Sequence, residues 1–151
     1  MRNLGITANF RKRFYPGATA GEIAHYILPT LEEERPDAII INAGTNNLQK
    51  RDYDAPTVVN NIMKIAKAAN ENGVGQIFVS SITARHDQRL QNRANEVNSV
   101  MKELCSSNNI IFIDNVDVHN EHVCKEGVHS SESGLEILAT NFLTSMMHFS
   151  R

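Results

Sequence analysis

No serine and no cysteine occurs in this chain before Ser80, so its first half offers neither a serine hydroxyl nor a thiol as an attacking group. Cysteine is scarce throughout. Cys105 and Cys124 are too few for a disulfide scaffold and suit a reducing compartment. A dominant charge is missing too: the formal net charge of −2 excludes a whole-chain pull toward nucleic acid or anionic membrane. No apolar run approaches membrane-spanning length, and the polar N-terminus has no signal-peptide core. These absences predict a soluble, intracellular (cytoplasmic) protein with no membrane partner. Repeats, low-complexity tracts and interdomain linkers are also lacking, so the 151 residues are expected to form one domain with a real core.

What is present is an alternation of short β-rich runs and longer helical patterns. Phe10 to Tyr15 is a weak strand candidate closed by Pro16-Gly17. Thr19 can cap a helix through Glu34, with Glu22 at the capping-box spacing and Ile23, Tyr26, Ile27 and Leu31 on one face. Pro29 is expected to bend that helix or end it early. Ala38 to Ala43 is an apolar run typical of a strand buried on both faces. Asp54-Ala55-Pro56 starts a second helix that runs to about Asn72, and Gly73 and Gly75 end it. Gln76 to Ile82 is the next strand. A helix from His86 to Ser106 follows, turning Leu90, Ala94, Val97, Val100, Met101 and Leu104 inward. Ile110 to Asp114 is the last strand, and Ser133 to Phe149 the last helix.

Strands alternating with helices of this length predict right-handed βαβ units and a parallel sheet with helices on both sides. The segments after the strands then meet at one sheet edge, where functional groups collect in such folds. Those segments are Pro16-Gly17-Ala18, Gly44-Thr45-Asn46, Ser80-Ser81 and a loop from Asn115 to Ser131. The last contains Glu126-Gly127-Val128-His129, an acid three residues ahead of a histidine. His129 can act as a general base, with Glu126 fixing its tautomer. Asn46 can offer a side-chain amide, and Gly17 an unobstructed backbone N–H, to a developing oxyanion. Each has a plainer role as a turn or surface residue, and only their joint occurrence points to acyl transfer.

Together these residues resemble the SGNH (GDSL-type) hydrolases, closest to the esterase-like domains of some animal non-LTR retrotransposon open reading frames. Tyr15-Pro16-Gly17-Ala18-Thr19 looks like that family's second block, whose glycine supplies an oxyanion N–H. Pro36 to Leu48, containing Gly44-Thr45-Asn46-Asn47, looks like the third block, with Asn46 as the oxyanion asparagine. Ser80 to Arg85 and Phe112 to Asn115 match secondary features, and Glu126-Gly127-Val128-His129 looks like the fifth block. The resemblance implies a three-layer α/β/α sandwich with strand order 2-1-3-4-5. It also implies hydrolysis of a small acyl ester, with no metal and no cofactor.

Three departures qualify that likeness. The family's opening strand, ending in Gly-Asp-Ser with the nucleophile, has no counterpart here, and Met1 to Gly5 looks like the segment that follows it. The chain thus reads as truncated at its start. The acid is Glu126, whose stem is longer than aspartate's by one bond of about 1.5 Å. Asn47 stands where the family commonly has aspartate. No substitute nucleophile is convincing: Ser130 adjoins His129, Ser131 and Ser133 suit helix caps, and Cys124 suits a small buried thiol. Little or no esterase turnover is therefore expected. Loss of the opening strand would leave a gap in the middle of the sheet. Phe10–Tyr15 closes it, or a partner chain or second copy fills it, or the chain is poorly stable.

Two other classes stand beside the esterase. His119, His122, Cys124 and His129 put four metal-capable side chains in one loop, but their spacing matches no standard zinc pattern. A non-catalytic module that binds nucleic acid or a protein partner is the stronger rival. Arg11, Lys12, Arg13, Arg85, Arg89 and Arg93 can form a basic face, or belong to an ordinary solvated surface together with Asp87.

Overall fold

The computed structural model describes residues 15–82 and 87–114. In chain order these form helix α1 (Ala20–Glu34), strand β1 (Ala38–Ile41), a 3-10 turn (Thr45–Gln49) and helix α2 (Ala55–Glu71). Strand β2 (Gln76–Ser80), helix α3 (Gln88–Ser107) and strand β3 (Ile111–Ile113) follow. The strands make one parallel sheet in the order β1-β2-β3. Ala38 pairs with Gln76 and Ile41 with Val79, while Phe78 pairs with Ile111 and Ser80 with Ile113. This α/β architecture is the expected one, and its sequential order matches the 3-4-5 part of the implied sheet. The Phe10–Tyr15 strand, except Tyr15 itself, and the Ser133–Phe149 helix lie outside the described residues.

Local signals fix most boundaries. The Thr19 hydroxyl accepts from the Glu22 N–H, and the Glu22 carboxylate accepts from the Thr19 N–H at 3.1 Å, a complete capping box. Asp54 accepts from the Thr57 N–H and starts α2; Asp87 accepts from Arg89 and Leu90 and starts α3. Both helices close with the same backbone return. Val74 N–H donates to the Ala69 carbonyl and Ile110 N–H to that of Cys105, each at 3.0 Å.

Helix α2 packs against α1 on one side and α3 on the other and lies over β1 and β2. Val58, Val59, Ile62, Ile65, Ala66 and Ala69 form its buried stripe. Strand β2, with a neighbour on each side, is buried from Ile77 to Ser80, and Phe78 is fully enclosed. Strand β1 has one neighbour among the described residues and is only half-buried over Ala38–Ile40.

Three expectations are corrected. Helix α1 does not end early: it continues through Pro29 to Glu34. Proline removes one donor and is tolerated here because residue 29 and His25, whose carbonyl loses that donor, are exposed. Tyr26 does not share the buried face; it is 48% exposed and stacks on Tyr15, ring centroids 5.7 Å apart. Val100 is 39% exposed rather than inward, because the buried stripe runs Leu90, Ala94, Val97, Met101, Cys105 and puts position 100 on its shoulder.

Candidate functional site

Tyr15-Pro16-Gly17-Ala18 folds as a tight turn closed by Ala18 N–H donating to the Tyr15 carbonyl at 3.0 Å. Gly17 has φ +74°, the conformation a type II turn requires at its third residue, with proline preset at the second. A Cβ added at Gly17 would meet nothing within 4 Å, so no described side chain or backbone crowds its Cα. That N–H has no hydrogen-bond acceptor among the described residues.

The turn after β1 reaches this segment through two adjacent asparagines. The Asn46 amide donates to the Ala18 carbonyl at 3.0 Å, and the Asn47 side-chain carbonyl accepts from the Ala20 N–H at 2.8 Å. Asn47 thereby satisfies a donor in the first turn of α1 that has no partner within the helix. An amide nitrogen carries two hydrogens. The second N–H of Asn46 is unengaged among the described residues, one residue along from the free N–H of Gly17. Two of the four predicted site residues, Gly17 and Asn46, are thus brought together. Glu126 and His129 lie outside the described residues, as do the metal-capable His119, His122 and Cys124. Among the described residues no group of three or more metal-capable side chains occurs.

The local packing explains why these two loops meet. Gly44, at φ +104°, carries the chain out of β1, and a Cβ there would lie 3.2 Å from both Ile82 Cδ1 and Val58 Cγ1. Leu48 then plugs the core with no exposed surface. The 3-10 turn is held from α3 as well. Arg93 donates to the Leu48 carbonyl at 2.6 Å and to that of Lys50 at 3.3 Å, and its guanidinium lies 4.5 Å from the centre of the Tyr53 ring. The Tyr53 hydroxyl donates to Glu96 at 2.6 Å. Burial and that acceptor both push the phenol well above its usual value. Asn98, also on α3, accepts from the Ile82 N–H at 2.7 Å and donates to the Ile82 carbonyl at 3.0 Å, pinning the end of β2.

These contacts revise the basic-face expectation. Arg93 is a loop anchor, Arg89 is exposed, and Arg11, Lys12, Arg13 and Arg85 lie outside the described residues. Ser80 and Ser81 are buried at the end of β2. Asn47, Arg93 and Asn98 were not singled out by sequence as site-forming. Only Asn98, a polar residue between Val97 and Met101 on the inward side, carried a signal.

Solved structures share this fold. A GDSL-like lipase from Bacteroides thetaiotaomicron aligns with a TM-score of 0.77 at 19% identity, over 87% of this chain and 72% of its own. A lipase/acylhydrolase from Enterococcus faecalis aligns with a TM-score of 0.73 at 21% identity, over 86% and 71%. A carbohydrate esterase family 3 protein from Talaromyces cellulolyticus aligns with a TM-score of 0.76 at 16% identity, over 95% and 76%. No curated protein sequence matches the chain significantly. The model of the GDSL-like lipase/acylhydrolase family matches residues 3–137, which is most of the chain and spans both oxyanion candidates, and the chain belongs to that family.

Proposed function

We propose that this chain is an esterase-type domain for small acyl esters, in which Gly17 and Asn46 donate to the oxyanion, His129 is the base and Glu126 orients it. The observation that supports this reading is the hydrogen bond from Asn46 to the carbonyl of Ala18, the residue after Gly17. Two donors converging on one point are what a tetrahedral oxyanion requires, and the fold neighbours include an acetyl esterase and an acetyl-xylooligosaccharide esterase. The retrotransposon-like character of the blocks and a single domain over residues 1–151 belong to the same proposal.

Within these 151 residues, turnover is weak or absent. No serine or cysteine precedes Ser80, Ser80 and Ser81 are buried, and side chains adjacent on a chain, such as His129 and Ser130, seldom pair as base and nucleophile. Donors and an imidazole alone support only slow hydrolysis through water. The test is hydrolysis of a short-chain acyl ester by the wild type and His129→Ala. Robust activity abolished by the substitution would overturn the inactivity, and equal background rates would remove His129 from any residual catalysis.

The absence of serine and cysteine before Ser80 favours one second reading, a module that kept the fold and binds nucleic acid or a protein partner. It predicts salt-dependent binding of single-stranded nucleic acid, and no binding at low salt counts against that form of it.

A further inference from the structure

We propose that Arg93 is a positioning residue for the Asn46 amide, acting from α3 through the 3-10 turn that carries it. This rests on the oxyanion role of Asn46 for its functional meaning, but the geometry stands separately. The Thr45–Gln49 turn leaves carbonyls at its C-terminal end without helical donors. Arg93 supplies one, donating to Leu48 at 2.6 Å and to Lys50 at 3.3 Å from a residue 45 positions away. Its guanidinium is steadied over Tyr53, whose hydroxyl is tied to Glu96 on the same helix. At the other end of the turn, Asn46 and Asn47 grip Ala18 and Ala20. The turn is therefore clamped at both ends, and its rotation, which sets where the free N–H of Asn46 points, is fixed by α3 as much as by α1. Lysine cannot reproduce the clamp, because an ammonium lacks the planar fork that lies over Tyr53 while donating to backbone oxygen.

The test is the side-chain amide resonance pair of Asn46 in the 151-residue protein, assigned by its loss in Asn46→Ala. In the wild type, one proton is bonded to the Ala18 carbonyl, which displaces the pair from the positions of a solvated asparagine amide. In Arg93→Ala the pair is expected to move to those solvated positions while the methyl signals of Ile62, Val97 and Met101 keep their native ones. Arg93→Lys is expected to give a smaller shift in the same direction, and it carries the test if the alanine variant does not fold. An Asn46 pair unchanged in a folded Arg93 variant would overturn the proposal and leave Arg93 as a brace for stability alone. Failure of the oxyanion reading looks different. Background hydrolysis of p-nitrophenyl acetate would be the same in wild type and Asn46→Ala, whatever the amide resonances do in the Arg93 variants.

Discussion

At Gly44 conformation and space act together. The backbone sits at φ +104°, and a Cβ would press on Val58 and Ile82 within the core. Gly44→Ala is therefore expected to cost roughly 1–3 kcal/mol, read as a lower denaturant midpoint at unchanged m-value. Gly17 shares the positive φ but opens on empty space, so Gly17→Ala should lose only about 1 kcal/mol. Glu22 gives a pH signature. Its hydrogen bonds from the Thr19 backbone and hydroxyl hold its carboxyl below the usual 4.5. The unfolded chain then binds more protons than the fold between the two values. The contribution is complete above 4.5 and lost as the pH falls through the depressed value. Glu22→Gln should flatten that part of an acid titration of helicity. Cys105 behaves oppositely: burial pushes its thiol from 9 up to about 11. It favours the fold in full below pH 9, and that favour fades as the pH rises toward 11. In a Cys124→Ala background, a thiol reagent at neutral pH should find no reactive group until the protein unfolds.

At the scale of elements, helix α3 does more than cover the sheet. Asn98 bonds both backbone groups of Ile82, and Ile82 in turn lies against Gly44. Asn98→Ala is expected to cost about 1–3 kcal/mol, the usual penalty for stranding part-buried backbone groups, and Asn98→Asp should keep only the bond from the N–H. Chemical denaturation of the two variants checks both values. The elements themselves were legible in the sequence because caps and periodicity are local. Thr19 with Glu22, Asp54 with Pro56, and the apolar runs at 38–43 and 76–82 each state their role within a few residues. Pro29, Tyr26 and Val100 misled because exposure depends on what a helix packs against, which no local pattern contains. Gly17 and Asn46 were legible as a pair only through the family's blocks. The contacts of Asn47 and Arg93 join segments 27 and 45 residues apart and leave no mark on either one.

For the whole molecule, the proposed donors can be tested by adding a nucleophile. A strand ending in Gly-Asp-Ser fused ahead of Met1 is expected to produce esterase activity that vanishes when the added serine is replaced by alanine. In that fusion, Asn46→Ala should lower kcat by about 100- to 1,000-fold, the usual effect of losing one oxyanion donor. An active fusion indifferent to Asn46 would remove the amide from the mechanism. The parallel register carries a further consequence, for the way the chain acquires its shape. Ala38 cannot meet Gln76, nor Phe78 meet Ile111, until the intervening helix exists to span the distance. During synthesis, the isoleucines of β1 must wait for the whole of α2 to leave the ribosome before β2 can lie alongside them. Association with other nascent chains competes most strongly in that interval, so slower refolding and sensitivity to protein concentration are the kinetic costs of this topology.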